Sequence, residues 1–344
     1  MSVNDLHLEL LETDPVYSTL SEVDQAEFRG RLLSNSFRFN SKLLSDSSEV
    51  SAVVEYLWAE MWSQGLVPVQ HMYAQRLKFH LRLILLNLLR AYQADTDRFV
   101  AYSRDRSSYY GKKAKFRKLS YSNMVKVTEF LEDNGYIVNV EGYKPVEATV
   151  KANVSRMRMK QKLVDLLNVE LDYEEELYEV EPPSQDERII VMGKKHRSEG
   201  EKPYRKQVKT PNTKAVQRMN EVVKIINQVI ENTKITLDVT KSELKLINAR
   251  LRDDDSTNIN AVDFDRKYLY RVFVDRRMDR GGRFYGPWYQ NIPRQYRQKI
   301  RINGELVAEP DYSGLHPRMC YALTGLRLPS DPYSLPGYPN DDKT

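Results

Sequence analysis

The longest apolar run in this chain, LILLNLL at residues 83–89, is bounded by Arg82 and Arg90. It falls well short of the roughly 20 residues that span a bilayer, so it predicts a helix buried in protein and not in lipid. The surrounding segment 76–93, RLKFHLRLILLNLLRAYQ, repeats its leucines and isoleucine at three- and four-residue steps and keeps Lys78, Arg82 and Arg90 polar, the pattern of an amphipathic core helix. With 41% hydrophobic against 29% charged residues over 344 positions, there is apolar surface for one sizeable core and for a second or third. The start, MSVNDLHLELLETDP, has no basic residue, continuous apolar segment or small-residue cleavage site, which predicts a cytoplasmic protein without a secretory signal or membrane span. Cys320 is the single cysteine, and the five histidines form no HExxH pair. An intramolecular disulfide and a Cys-rich zinc site are excluded, and any metal is expected on oxygen ligands.

Charge is laid down in blocks. Residues 104–118 hold seven bases and one acid, 170–187 nine acids and no base, 188–218 ten bases and two acids, and 266–301 eleven bases and two acids. One basic block alone reads as a solvated face. Three together are the footprint of phosphate-backbone contact, because neutralising phosphates releases condensed counterions. The expected partner is therefore nucleic acid.

Along the chain, residues 1–65 read as short helices, with Ser21 as a cap and VSAVVEYLWAEMW as an amphipathic turn sequence. After the basic stretch SRDRSSYYGKKAKFRK, Ser120 caps a helix carrying Met124, Val127, Phe130 and Leu131 that stops at Gly135. YIVNVEGY and ATVKANVSRMRM then alternate as a pair of strands. Helix, basic segment, helix and two-stranded wing is an order that resembles a winged helix-turn-helix. The basic residues sit before the second helix, at Lys112, Lys113, Lys115, Arg117 and Lys118, and on the wing, at Lys151, Arg156, Arg158 and Lys160, which predicts backbone contact more than base readout. A packing or docking domain is the other reading of this stretch. Beyond Pro182-Pro183, a Lys/Arg-rich segment with one RIIVM strand marks a boundary. AVQRMNEVVKIINQVIE then predicts a long helix with Met219, Val222, Val223, Ile226 and Val229/Ile230 on its apolar face.

Chemistry concentrates in the last 80 residues or so. KIRINGELVAE places Asn303-Gly304 between two alternating segments, a strong hairpin signal. The second strand runs into Asp311, and residues 314–324 have helical apolar spacing. A carboxylate at a strand end suits Mg²⁺, which keeps positions for phosphate and water; taken alone, Asp311 also reads as a helix N-cap.

The string GGRFYGPWYQNIPRQYRQKIRINGELVAEPDYSGLHPR resembles the palm of family A nucleic-acid polymerases, and RRMDRGGRFYG is similar to an element of single-subunit phage and mitochondrial RNA polymerases. The resemblance covers roughly residues 210–335 and is most specific over 280–318. It implies that Asp311 is catalytic and binds the Mg²⁺ pair with the Tyr312 carbonyl. It also implies that Ser313, Gly314, His316 and Tyr333 lie near the incoming nucleoside triphosphate, and that Arg283, Tyr285, Gln290, Asn291 and Arg318 face the nucleic acid. His316 stands where the DNA polymerases carry a sugar-gating Glu and the RNA polymerases a small residue, so sugar preference stays open, with packing under the helix as the other reading.

The family's nucleotide-binding Lys helix and second carboxylate motif do not occur before Thr344, so the chain alone is expected to be inactive as a polymerase. The expected fold class is α+β, predominantly helical. Its divisions are a helical N-terminal region (1–70), a winged helix-like domain (71–168), an acidic then basic linker (169–210) and an incomplete polymerase palm (211–344). The expected function is a DNA-templated nucleotidyltransferase with RNA synthesis slightly favoured, consistent with a phage or mobile-element layout. The alternative is a non-enzymatic replication or transcription accessory protein that binds DNA. A further reading has the aromatics of 266–301 stacking on RNA bases.

Overall fold

The computed structural model describes residues 34–110, 119–142, 154–167, 177–197, 203–253, 261–310 and 314–330. The chain runs through β1 (Ser36–Arg38), β2 (Leu43–Leu44), α1 (Ser48–Ser63), α2 (His71–Ala94), β3 (Phe99–Tyr102), α3 (Tyr121–Asp133), β4 (Ile137–Val140), β5 (Ser155–Met159) and α4 (Gln161–Leu167). Then come β6 (Glu179–Val180), α5 (Gln185–Arg188), β7 (Ile189–His196), β8 (Tyr204–Val208), α6 (Lys214–Glu231), β9 (Ile235–Leu237) and α7 (Lys241–Asp253). The last elements are β10 (Tyr270–Phe273), β11 (Gly281–Tyr285), α8 (Arg294–Arg297), β12 (Ile300–Ile302), β13 (Glu305–Leu306) and α9 (Leu315–Thr324). This is a mixed α+β architecture of helices and small sheets. No helix among the described residues is long and apolar enough to cross a membrane. Two compact units divide it, one made of the described residues of Met1–Thr233 with Val239–Pro293, the other of Lys234–Asp238 with Arg294–Thr344.

In the first unit α2 is the central core helix. Every residue from Leu83 to Ala91 is buried, because α1, α3, β3 and β5 all pack on it. α1 starts where Ser47 Oγ accepts the Val50 N–H at 3.1 Å, and it buries Val50, Val53, Val54, Leu57 and Met61, one stripe at helical spacing. The four-stranded sheet has the order β1-β3-β5-β4, with β1 parallel to β3 and the other pairs antiparallel. One core joins Phe37 and Phe39 to Leu167 and reaches Ala261, so the segment before residue 70 shares its core with 71–168.

Two polar residues of α2 depart from the expected pattern. Arg90, expected to stay polar and outward, is 2% exposed. Its Nε donates to Asp265 at 2.5 Å and an Nη donates to Asp263, while its guanidinium lies 4.4 Å from the Phe37 ring centre. Burial works against its charge, but the two carboxylates outweigh that and raise its pKa further. Asn87 is also buried, and its amide bonds both the N–H and the C=O of Asn40.

α3 ends as its sequence predicts. Gly135 has φ +73°, its N–H reaches the Glu132 carbonyl and the Tyr136 N–H reaches the Leu131 carbonyl, a Schellman closure. Its start is different, since Ser120 caps with no side-chain hydrogen bond. Instead the Ser120 N–H donates to His80 Nε2 at 2.8 Å, and His80 Nδ1–H donates to the Arg76 carbonyl at 2.6 Å.

A second sheet in this unit has the order β11-β10-β7-β8. Where a linker was expected at 169–210, the described part therefore forms strands, because Ile189 and Val191 alternate inward and bury with Phe273 against Val216 and Val223 of α6. α6 buries Val216, Asn220, Val223, Asn227 and Ile230, whereas Val222 and Val229, expected inside, are exposed. The cause is Asn227, whose amide accepts the Leu269 N–H at 2.8 Å and donates to the Leu269 carbonyl at 3.0 Å. That pairing fixes the helix rotation.

In the second unit β12 pairs with β13 and with β9, antiparallel in both cases. Asn303 and Gly304 form the hairpin turn with φ +51° and +87°, as their dipeptide predicts. Arg301 donates from Nε and Nη2 to Asp238 Oδ2 at 3.0 and 2.8 Å.

Removing one partner of a buried ion pair leaves a charge in the core, so Arg90→Ala is expected to lower stability by about 3–5 kcal/mol, measured by urea unfolding. Burial holds the His80 imidazole below its ordinary 6.5. The unfolded chain therefore takes up that proton first, and this contribution to stability is complete above pH ~6.5 and falls as the pH drops toward the folded-state value. His80→Gln is expected to flatten the pH dependence of the melting temperature in that window.

Candidate nucleic-acid interface

β11 is the edge of its sheet and pairs only with β10, in the register Tyr270 with Tyr285, Arg271 with Phe284 and Val272 with Arg283. Side chains alternate across a strand, so Arg283 and Tyr285 share the face of Tyr270, opposite the one on which Phe273 enters the α6 core. Arg283, Phe284 and Tyr285 are exposed, and the Tyr285 and Tyr270 rings stack with centroids 6.4 Å apart. On the other face, the Arg271 guanidinium lies 5.1 Å from the Phe273 ring and 5.2 Å from Phe284, and its Nε donates to the Gly282 carbonyl at 2.9 Å. This stack needs the glycine, since a Cβ at Gly282 would sit 2.9 Å from Phe273 Cε1 and 3.0 Å from an Arg271 nitrogen. At Gly286 the approach is closer still. With φ +129°, a Cβ there would lie 2.3 Å from the Tyr268 carbonyl oxygen.

The QNIP segment follows as a single 3-10 turn, Trp288–Asn291. Trp288 is 4% exposed and its N–H donates to the Arg266 carbonyl at 2.7 Å. Gln290 Nε2 donates back to the Phe284 carbonyl at 3.2 Å, so Gln290 supports the edge strand. Asn291 is half-buried and donates to the Pro287 carbonyl at 3.4 Å.

The two acids of the 266–301 block are both engaged. Asp275 faces Arg205 and Arg280, and its hydrogen bond from Arg205 holds its carboxyl below the usual range. Asp279 pairs with Arg277, which brings its pKa down to about 2. Neither acid pairs directly with Arg283.

The remaining expected residues fall elsewhere. Arg156 and Arg158 lie on β5 of the other sheet, half-buried; Arg156 donates to the Val154 carbonyl at 2.8 Å and Arg158 to Asp97 at 2.6 Å. Burial holds the Arg156 guanidinium below its ordinary pKa. In the second unit, Gly314 takes φ +63° at the start of α9, the Arg318 N–H returns to its carbonyl at 2.9 Å, and His316 and Arg318 are exposed. His316 is thus not packed under its helix. Asp311, Tyr312, Ser313 and Tyr333 lie outside the described residues, as do Lys112, Lys113, Lys115, Arg117 and Lys118. Among the described residues no group of three or more His, Cys, Asp or Glu side chains is placed to hold a metal ion. Sequence reasoning passed over Arg271 and Gly286; three glycines within GGRFYG were the available sign of close packing.

Set against known proteins, the chain matches no family model, no curated protein and no solved structure.

Gly286→Ala is expected to destabilise the first unit by more than about 1 kcal/mol in urea unfolding, because both its backbone angle and the Tyr268 carbonyl oppose a side chain.

Proposed function

We propose that this chain grips nucleic acid and carries the first metal motif of a family A-like, DNA-templated nucleotidyltransferase acting with Mg²⁺ and nucleoside triphosphates, RNA synthesis being slightly favoured. The observation that carries the reading is the exposed edge strand β11, which presents Arg283 and the stacked Tyr285 on one face with no acid paired to Arg283 among the described residues. Guanidinium and aromatic groups side by side suit a phosphate backbone and its bases.

Two features of chain order support it. β11, the 3-10 turn at Trp288–Asn291, the β12–β13 hairpin and α9 follow one another in the order that the resemblance to a polymerase palm implies, with Asp311 between the hairpin and α9 in sequence. In the first unit β3, α3, β4 and β5 follow one another and pair in the order β3-β5-β4 beside β1, an arrangement compatible with the winged-helix reading. Aspartate at position 311 would hold the metal through its carboxylate, with the Tyr312 carbonyl as a further oxygen ligand.

Fluorescence anisotropy with a primer–template duplex tests the reading. Arg283→Ala is expected to weaken binding about tenfold and to lower the salt slope by about one, and Tyr285→Ala to weaken it through lost stacking. Asp311→Ala is expected to leave duplex affinity unchanged and to abolish Mg²⁺-dependent nucleotide incorporation by any longer form of the protein that carries the second carboxylate motif. Salt-dependent binding that needs Arg283, with no Mg²⁺-dependent reaction from such a longer form either, would favour an accessory DNA-binding protein. Binding indifferent to Arg283 and Tyr285 would sink the interface itself.

A further inference from the structure

At the edge of the second sheet opposite β11, the β7–β8 pair continues beyond the strand that braces it. β10 pairs with β7 over Ile189–Val191, and the Arg276 N–H reaches the Met192 carbonyl at 3.0 Å. Past that point β7 pairs with β8 alone, Lys195 opposite Arg205 and His196 opposite Tyr204. Ile189 and Val191 are buried, whereas Lys194, Lys195 and His196 are exposed. A register shift between Met192 and Lys195 marks a bulge, which bends the ribbon where it leaves the sheet. Two strands alone are marginal in water, and this ribbon is anchored by the buried end of β7.

Alternation across the ladder puts His196, Tyr204 and Lys206 on one face and Lys195 with Arg205 on the other. The His196 and Tyr204 rings stack with centroids 5.2 Å apart. Tyr204 is 44% exposed, and Lys206 Nζ lies 5.7 Å from its ring centre. On the opposite face Arg205 is held by Asp275 and the Gly193 carbonyl. Lys194, Lys195, Arg197 and Lys206 pair with no acid among the described residues. Residues 193–209 hold seven Lys/Arg against two acids, Glu199 and Glu201, which lie outside the described residues. With both of those and Asp275 matched to a base of this segment, cations are still in excess. Lysines on an edge strand also deter pairing with a stray strand, but that purpose needs no exposed aromatic stack.

We infer that the β7–β8 ribbon binds duplex DNA in its major groove. That groove, about 12 Å wide, admits a two-stranded ribbon. It runs between two phosphate backbones, which suits a ribbon carrying lysines on both faces. A single strand laid along the sheet would use one face only, and the deep, narrow major groove of duplex RNA admits no such ribbon. The stacked pair brings a phenol hydroxyl, an imidazole nitrogen and ring edges to base edges and thymine methyls. The inference uses none of Asp311, Arg283 or Tyr285 and stands apart from the polymerase-like reading.

Fluorescence anisotropy of the full chain with a short labelled DNA duplex, over a range of salt, tests it. Lys195→Gln with Lys206→Gln is expected to weaken binding about tenfold and to lower the salt slope by about two. Tyr204→Ala is expected to weaken it with the slope unchanged, since no phosphate contact is removed. Acetylation of the unaltered chain, read by mass spectrometry, needs no variant: duplex DNA should protect Lys195 and Lys206, and labelling of both at the rate of the free protein overturns the proposal. Parental affinity in the folded double-lysine variant overturns it as well. A loss in that variant as large on a single strand or on duplex RNA as on duplex DNA overturns the groove assignment. Arg283→Ala is measured in parallel. A loss there with the ribbon variants unaffected overturns the ribbon and leaves the β11 reading standing, and the reverse supports the ribbon and sinks the β11 interface.

Discussion

A guanidinium buried near the C-terminal end of the core helix dictates much of the first unit's long-range order. Arg90 lies within a stretch of α2 that is covered on every side, where an unpaired charge would be costly. Its carboxylate partners come from far along the chain, Asp263 at a separation of 173 residues and Asp265 at 175. Tyr178, from the acidic stretch, donates to Asp265 at 3.2 Å. A single desolvated cation thus draws both the acidic segment and the segment before β10 onto the core helix. The Arg266 carbonyl then receives the Trp288 N–H, and the Tyr268 carbonyl lies where only glycine fits at 286. The exposed edge strand is positioned by those contacts, so a polar interaction in the core determines where the surface charge of β11 is presented.

Much of this was legible where one residue type has one physical use. The leucine-rich run at 83–89, the Gly135 stop and the Asn303-Gly304 turn each follow from burial or backbone geometry that few other arrangements satisfy. What hydropathy could not show was polar residues working inside. Arg90 reads as an outward charge until its distant carboxylates are known, and Asn227 reads as an interruption of an apolar face. In fact Asn227 supplies a donor and an acceptor to Leu269 as a neighbouring strand would. The helix is turned to serve that pairing, and Val222 and Val229 are left outside. The candidate interface was half visible in the same way: Arg283 and Tyr285 were readable, but the glycines that admit the Arg271 stack and the Tyr268 approach become necessary only once the strands are paired.

The basic blocks also divide by what their cations do. Arg205 is tied to Asp275, Arg277 to Asp279 and Arg104 to Glu129 and Glu141, so part of the segregated charge is spent within the fold. Exposed pairs of this kind contribute little to stability. Their effect is to orient loops and to remove acids from the neighbourhood of cations that remain available. Arg283 on its edge strand is one place where positive charge stands beside an exposed aromatic ring, that of Tyr285. Such a combination is chemically suited to stacking as well as to phosphate contact.

The second unit rests on different physics. Its hairpin has little core: Ile302 and Leu306 are 43% and 65% exposed. Its geometry comes from turn chemistry and polar contacts, with the Asn303 side chain accepting the Lys234 N–H at 2.9 Å and Arg301 paired to Asp238. Structure held by local hydrogen bonds and few buried apolar contacts opens at lower free energy than a packed core. A group that binds the folded form of such a hairpin stabilises it in proportion to how far its concentration exceeds its dissociation constant. The strand that leads toward Asp311 is therefore held mainly by turn chemistry and polar contacts, whereas Arg283 stands on a sheet braced by the α6 core.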